Sequence, residues 1–467
     1  MSELNKNIAG SDVTIEFLEL ISPFHTFDLR PYFIEMNIYE DLYSPSLTMD
    51  IILNDSVNLP LKVPILGEEW LNFSFASSSL GGDGGIGGNE INPGPMYVTS
   101  ITDRHITKDK QQVYILHLTS EQSIVNYNTS ISRSFRGKPI SQIVETILND
   151  YIDPQAEGND FVVEETDGLE HVVIPNWKPF DAINWLSKLA INKKNIPSFL
   201  FWESIGVTYF KSVETLLEQE SKHKFILKPI KGDQSAVAAS TADGITLLSG
   251  LQIINQFDIP HNITVGLYAS KLITHDIVSK KIEQTTYGLN QAFGSEIAHT
   301  DEFMPISSED TYYTVQDRQD YAPQQHIVEG ENLQSFFDSN IKVKTKHDKL
   351  YCKNVGDLYD NNVENILLKR NTLINGLNQI KLEITFSGLS FLRVGFTVDI
   401  NVPSNEQVME EKAGEVKNKD DMVDKMLSGT YLITALKHSV KMQDGKPQYG
   451  MTAEVTKDGL GDVPAYG

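Results

Sequence analysis

Two distant stretches of this sequence run through the same order of residue types: GPMYVTSITDRHI from Gly94 and SGTYLITALKHSV from Ser428. Each sets a small residue before a Tyr, follows it with β-formers and ends on a basic residue or His. A copied domain constrains a fold more tightly than any composition, because the neighbours of the two strands must then match in type and order. Upstream of the first, SLTMDIILND alternates Leu47, Met49, Ile51 and Leu53 with residues facing the other way. Upstream of the second, QIKLEITFSG does the same with Ile380, Leu382, Ile384 and Phe386. A period of two over four apolar positions marks a half-buried strand.

The match continues. VPILGEEWLNFSF and LSFLRVGFTVDINVP follow, with Gly67 and Gly395 interrupting a strand as a bulge or bend in a barrel wall would. A long loop comes next in both, ASSSLGGDGGIGGNEINP and SNEQVMEEKAGEVKNKDDMVDKM, unlike in composition but inserted at the same point. After the Tyr strands, Tyr114, Leu116 and Leu118 of QVYILHLTS correspond to Tyr449, Met451, Ala453 and Val455 of QYGMTAEVT. The spacing slips by one residue in places, which a bulge absorbs. Residues near 46–120 and 380–456 are therefore predicted to be two copies of one antiparallel barrel, with the alternating apolar sets inward.

Between the copies the pattern turns to α/β. After FRGKP, the residues Ile143, Val144, Ile147, Leu148 and Tyr151 fall at helical spacing, with Pro139 suited to the first turn. A second helix starts near Pro179 and carries Phe180, Ile183, Leu186, Leu189 and Ala190, and FLFWESIGVTYF reads as a hairpin about Ser204-Ile205-Gly206. The β pattern returns at LLSGLQIINQFDIPHNITVGLYASKLITHDIV, breaks for a polar stretch rich in Asp, Gln and Tyr, and resumes after a helix from about Val363. The predicted fold class is α+β, mainly β. It comprises two homologous small antiparallel β-barrels, an α/β middle domain and an inserted, mostly irregular or helical segment. The expected division is a first barrel at 1–122, the middle domain at 123–244, a discontinuous second barrel at 245–286 and 378–460, and an insertion at 287–377 with the helix near 363–377.

A length of 467 residues has room for this, at ~150 residues per domain. A hydrophobic fraction of 40% and a charged fraction of 22% belong to an ordinary globular protein. The net charge of −24 argues against a nucleic-acid binder that works by neutralising phosphates, and suits a protein that stays soluble before it assembles. A single cysteine, Cys352, rules out internal disulfides and Cys-rich metal sites. The N-terminus has acidic residues where a signal peptide has basic ones, and no run approaches the ~18 apolar residues of a membrane helix. The expectation is synthesis in the cytoplasm, with no cleaved signal and no membrane-spanning segment.

No catalytic, cofactor-binding or metal-ligating residue is predicted. Gly82, Gly84 and Gly87 spell G-x-G-x-x-G, but turn residues, NEINPG, follow where a nucleotide site needs a helix, so Gly81–Gly88 reads as a flexible loop. His347 and Cys352 lack a third and fourth ligand. The adjacent carboxylates Glu68-Glu69, Glu164-Glu165, Glu410-Glu411 and Asp420-Asp421 point apart on strands or sit in a solvated loop. The one basic run, IKVKTKHDK, sets Lys342, Lys344 and Lys346 on one strand face. That reads as a solvated face or protected sheet edge, with a docking patch for an acidic partner as the alternative.

A duplicated barrel, an α/β domain between the copies and an insertion splitting the second resemble the central baseplate hub protein of contractile-tailed bacteriophages. The pieces that carry the resemblance are DLYSPSLTMDIILND, FRGKPISQIVETIL, GLYASKLITHDIV, LSFLRVGFTVDINVP and SGTYLITALKHSV, taken in that order. The resemblance implies a non-enzymatic virion protein of the tail baseplate. Its homotrimer supplies six barrels to a ring that joins a six-fold tail tube to a three-fold spike. The implied partners are a separate spike protein below, which bears the lysozyme where one is present, and a tube or tube-initiator protein and tape measure above. Baseplate wedge proteins would surround the ring, and duplex DNA would pass through it without specific binding; no cofactor is implied. The barrel pair is shared with type VI secretion spike proteins, which fuse it to an oligosaccharide-binding-type barrel and a β-helix. This sequence reaches Gly467 without them, so a needle is expected to be a separate protein. The Gly-rich loop 81–88 and the acidic loop 404–427 depart from the family pattern. Alternatives are the hub of a non-contractile tail or of a contractile injection system, a tail-associated peptidoglycan hydrolase and a carbohydrate-binding adhesin. The hydrolase would need a catalytic constellation. The adhesin would need exposed aromatics, whereas Trp177, Trp185 and Trp202 lie in core-like segments.

Overall fold

The computed structural model describes residues 13–23, 25–62, 65–77, 89–106, 111–152, 160–227, 246–294, 298–301, 337–346, 363–403 and 423–460. The Gly81–Gly88 loop, His347, Cys352 and most of the acidic loop lie outside the described residues.

The first β unit contains β1 (Val13–Ile21), β2 (Thr26–Asp28), β3 (Phe33–Asp41), β4 (Thr48–Asp55), β5 (Trp70–Ser77), β6 (Asn89–Ile91), β7 (Met96–Ile106) and β8 (Gln112–Ser120). Then come β9 (Ile131–Lys138), β10 (Asp160–Val163), β11 (Glu170–Trp177), β12 (Phe199–Ser204), β13 (Val207–Ser212) and β14 (His223–Leu227). The remainder are β15 (Leu247–Asn255), β16 (Ala269–Asp276), β17 (Lys281–Gly288), β18 (Ile341–Lys346), β19 (Ile380–Ser387), β20 (Thr397–Asn401), β21 (Gly429–Gln443) and β22 (Lys446–Lys457). The chain is mainly β, and 14 of these strands form one mixed sheet.

Paired residues of neighbouring strands share a face, so register decides which side chains meet. In the first unit Met49, Ile51 and Leu53 stand opposite Leu118, Leu116 and Tyr114. In the second, Leu382, Ile384 and Phe386 stand opposite Val455, Ala453 and Met451. All twelve are buried, as are Leu47 and Ile380. The correspondence extends to the next strands. Val98 faces Leu118 and Ile433 faces Val455, and one residue further on each strand bulges, at Thr99 and at Thr434. Matching the bulges sets Tyr97 against Leu432, so an alignment of Tyr97 with Tyr431 is one residue out. Gly67 and Gly395 both adopt positive φ, 98° and 87°. They turn the chain just before β5 and β20 instead of breaking a strand from within.

The order β1-β5-β7-β8-β4-β3 in the first unit parallels β14-β20-β21-β22-β19-β15 in the second. One pairing differs in sense: β1–β5 is antiparallel and β14–β20 is parallel. In the second unit a short parallel contact of Ile226 and Leu227 with Leu247 and Leu248 joins β14 to β15, so the six pairings return on themselves. The units join edge to edge where β3 pairs antiparallel with β21, from Glu35–Lys441 to Asp41–Ala435. One apolar core runs through both.

The middle region has its own core. Ile140, Ile143, Val144 and Ile147 of the helix Ile140–Ile147 pack with Phe180, Ile183 and Leu186 of the helix Pro179–Ser187. Pro139 serves as N-cap of the first helix, not as a first-turn residue, and Leu148–Ile152 continue as a π-turn. The expected hairpin forms as β12–β13, with Gly206 at φ 78° completing a two-residue turn. Two strands fall outside their expected regions. β14, from the predicted middle domain, enters the large sheet between β20 and β15. β16 and β17, expected in the second barrel, instead pair with β18 in a separate three-stranded sheet. The reason is local: Leu272 of β16 is wholly buried with Tyr287, Ala292 and Leu368, the last from the helix Val363–Gly376. The helix at the end of the insertion and the strands before it thus complete one another's core.

Candidate functional site

Several strongly perturbed polar groups meet where the two units and the middle region touch. Glu40 sits near the end of β3, and its carboxylate is fully buried. It accepts from the Ser204 hydroxyl at 2.6 Å, from the Ile205 N–H at 3.3 Å and from the Val394 N–H at 3.1 Å. Arg393 Nε lies 3.7 Å away and His438 Nε2, from β21, 3.4 Å away, the latter without hydrogen-bond alignment. The other ring nitrogen of His438 bonds the Tyr449 hydroxyl at 2.7 Å. β3, the β12–β13 turn, the bend before β20 and β21 all converge on one carboxylate.

Burial pushes the Glu40 carboxyl up, but His438, Arg393 and Ser204 outweigh it and hold the group at about 2. Burial pushes His438 down, against the pull of Glu40 beside it. Next to Ser204, Glu203 is also buried. Its carboxylate accepts from the Leu47 N–H at 2.8 Å and the Ser120 hydroxyl at 2.6 Å. Having no cation of its own, it is raised by burial, and further by the Glu40 charge, to about 7. Both donors sit at one end of the first unit, where the start of β4 and the end of β8 lie side by side.

A second buried cluster fastens residues 298–301 to the end of β22. Lys457 is wholly buried, donates to Ser428 O at 2.7 Å and lies over the Tyr431 ring, with Asp301 at 3.8 Å. Burial lowers Lys457 to about 8 and raises Asp301 to about 6. Asp458 accepts from the Thr300 N–H and bonds His299, while Ala298 N–H bonds Glu214 of the middle region.

An open cleft of about 350 Å³ is lined by Glu164, Glu165, Asn192, Lys193, Lys194, Glu214, Thr215 and Glu218. Its charges are engaged with one another, Lys193 with Glu165 and Lys194 with Glu214 and Glu218, and Glu164 caps Ser212. Of the paired carboxylates, Glu69 is buried and accepts from the Leu66 and Gly67 N–H groups, holding the bend before β5. Among the described residues no three His, Cys, Asp or Glu are grouped to hold a metal, and no helix is long and apolar enough to cross a membrane. The lysine stripe lies on the edge strand β18, with Lys342 half-buried beside Leu272 on the face covered by the insertion helix. Trp202 is core, and Trp177 and Trp185 pack edge to face at 5.4 Å beside the middle core.

Sequence reasoning did not single out Glu40, Glu203, Arg393 or His438. Glu203 carried a signal: it is the lone acid in FLFWES, an otherwise apolar strand whose six residues are all buried. The site is built to join parts of the chain, since Glu40 and Glu203 each take their hydrogen bonds from other segments.

No family model and no curated protein matches the chain. Solved structures do. The tail protein of Neisseria meningitidis MC58 aligns with a TM-score of 0.51 at 9% identity, covering 95% of this chain and 97% of that one. The 43 kDa tail protein of prophage MuSo2 from Shewanella oneidensis aligns with a TM-score of 0.51 at 11% identity, covering 96% of this chain and 100% of that one. Over nearly their whole length, this chain shares the fold of these two tail proteins.

Proposed function

We propose that the chain is a structural subunit of the central hub of a phage tail baseplate. Three copies form a ring of six small barrels, which joins a six-fold tube above to a three-fold spike below and lets duplex DNA pass. The observation that carries this reading is the repetition of one strand order and one register in two units welded edge to edge. A chain built as two near-equivalent units gives six from three copies, which is how a three-fold body can face a six-fold one. The fold likeness to tail proteins over nearly the whole chain supports it, as does a joint whose buried groups fix the angle between units. The role is one of assembly and not of catalysis, and the place of action is the virion tail.

In this reading the first barrel spans the region to residue 122 and the second is assembled from β14, β15 and β19–β22. The middle region braces both through Glu203 and Ser204. The test is mass in solution: light scattering over a concentration series is expected to show a trimer. A stable dimer or tetramer counts against the reading.

A further inference from the structure

The lysine stripe of β18 is a sequence motif that the hub reading leaves without a role. β18 pairs parallel with β16, from Ile341–Lys271 to Lys346–Asp276, and among the described residues no strand lies on its other side. The Lys271 N–H bonds Asn340 O, so Asn340 and every second residue after it turn their backbone groups towards β16. Ile341, Val343 and Thr345 therefore aim their N–H and C=O groups at the open side. Such a row of ladder groups is a template for an added strand.

The two faces of β18 differ. Val343 stands beside Ile273 of β16, and Ile341 and Ile282 share that face. Val343 is 69%, Ile282 64% and Ile341 48% exposed, so apolar surface lies open next to the free edge. The opposite face carries the lysines. Lys346 lies 3.9 Å from Glu283, but among the described residues no acid pairs with Lys342 or Lys344. Lys342 stands beside the buried Leu272 and is itself half-buried, and burial pushes its ammonium below the ordinary lysine range. A lysine that only guards an edge keeps its head in water. Lys342 instead lacks an acid in a place where one would be strongly felt.

We propose that β18 is a docking edge for an extended segment of another protein in which apolar and acidic residues alternate. Laid beside β18, such a segment takes the outward N–H and C=O groups. It sets its apolar residues beside Ile341 and Val343 and its carboxylates beside Lys342 and Lys344. A second copy of β18 does not fit, because pairing the strand with itself sets lysine against lysine. Duplex DNA offers charge for the lysines but nothing for the apolar face or the open backbone groups. In a chain of net charge −24, a basic strand face selects its partner by charge. The inference goes beyond the ring reading and does not depend on it.

The test titrates the full chain into fluorescent, end-capped peptides of about six residues, the usual strand length, and reads anisotropy. One peptide alternates Val and Glu, one alternates Val and Lys, and one carries Val and Glu in separate blocks. The alternating Val/Glu peptide is expected to bind roughly tenfold more tightly than the other two, and less tightly as salt rises. Val343→Pro removes one outward N–H and leaves the bonds to β16 in place, so it is expected to abolish binding with the circular dichroism unchanged. Lys342→Glu together with Lys344→Glu is expected to reverse the preference, towards the Val/Lys peptide. No binding of the alternating Val/Glu peptide at millimolar concentration, equal binding of the Val/Glu and Val/Lys peptides, or binding that survives Val343→Pro would overturn the proposal. Displacement of the peptide by duplex DNA, or self-association of the chain that Val343→Pro removes, would assign the edge to a different occupant and overturn it as well.

Discussion

Thr99 and Thr434 occupy the bulged position of equivalent strands, and each donates its hydroxyl to the equivalent carbonyl across the bulge, His117 O at 3.0 Å and Glu454 O at 3.3 Å. A bulge leaves a ladder group unpaired, and a threonine side chain at that point satisfies it. Two copies with so few identical residues keep the same local device because the same register demands it.

The two threonines differ in burial, which sets the size of the effect. Thr434 is buried and also bonds the Glu454 carboxylate at 2.9 Å, whereas Thr99 is exposed. Thr434→Val is expected to destabilise by about 1–2 kcal/mol and Thr99→Val by less than ~0.5 kcal/mol. Urea midpoints of the two variants, measured side by side, check the order.

Glu203 gives the joint a pH dependence. Its folded value, about 7, lies above the ordinary 4.5, so the folded state holds the proton more tightly. Stability from this group is full below about pH 4.5 and is lost as pH rises through 7. Glu203→Gln keeps an acceptor for Leu47 and Ser120 without the charge. It is expected to raise stability at pH 8 by roughly 1–3 kcal/mol and to leave it nearly unchanged at pH 4.5. Thermal midpoints at the two pH values measure this; equal effects at both would show that the carboxyl is not held protonated.

Glu40 works in the opposite direction. Its folded value, about 2, lies below the ordinary 4.5, so its contribution is present above pH 4.5 and lost as pH falls towards 2. Glu40→Ala removes the partner of His438, Arg393, Ser204 and two backbone N–H groups at once, and is expected to cost about 3–5 kcal/mol. The β3–β21 edge should open with it, which hydrogen exchange of Met36–Glu40 against the distant helix Pro179–Ser187 would report.

The strand sets of the two units were legible in the sequence because apolar alternation is a local signal that burial preserves. Leu47 to Leu53 and Ile380 to Phe386 show it on inspection. The placement of β16 and β17 was not, because their alternation says that one face is covered without saying by what; the cover is Ala292 just after β17 and Leu368, far away in sequence. The joint was hidden for a related reason. Glu40 and His438 are ordinary as neighbours of their own strands, and become a site only when β3 and β21 lie side by side. Glu203 could have been suspected, since an isolated acid inside an apolar strand requires donors from elsewhere.

The charge of the chain bears on how the proposed ring would treat DNA. Three copies carry 3 × (−24) = −72 formal charges. Duplex DNA carries one negative charge per ~1.7 Å, and a lysine-rich wall would hold it through many phosphate contacts. A wall richer in carboxylates repels it only over about a Debye length, ~8 Å at physiological salt, so the duplex slides without being held. The lysine stripe on β18 belongs to a small sheet apart from the two β units, and is expected to lie outside the lumen. The assembled protein is therefore expected not to retard duplex DNA in gel-shift or anisotropy measurements at ~0.15 M salt. Tight binding under those conditions, abolished by Lys342→Glu and Lys344→Glu together, would place the basic strand on the DNA path and reverse this account of passage.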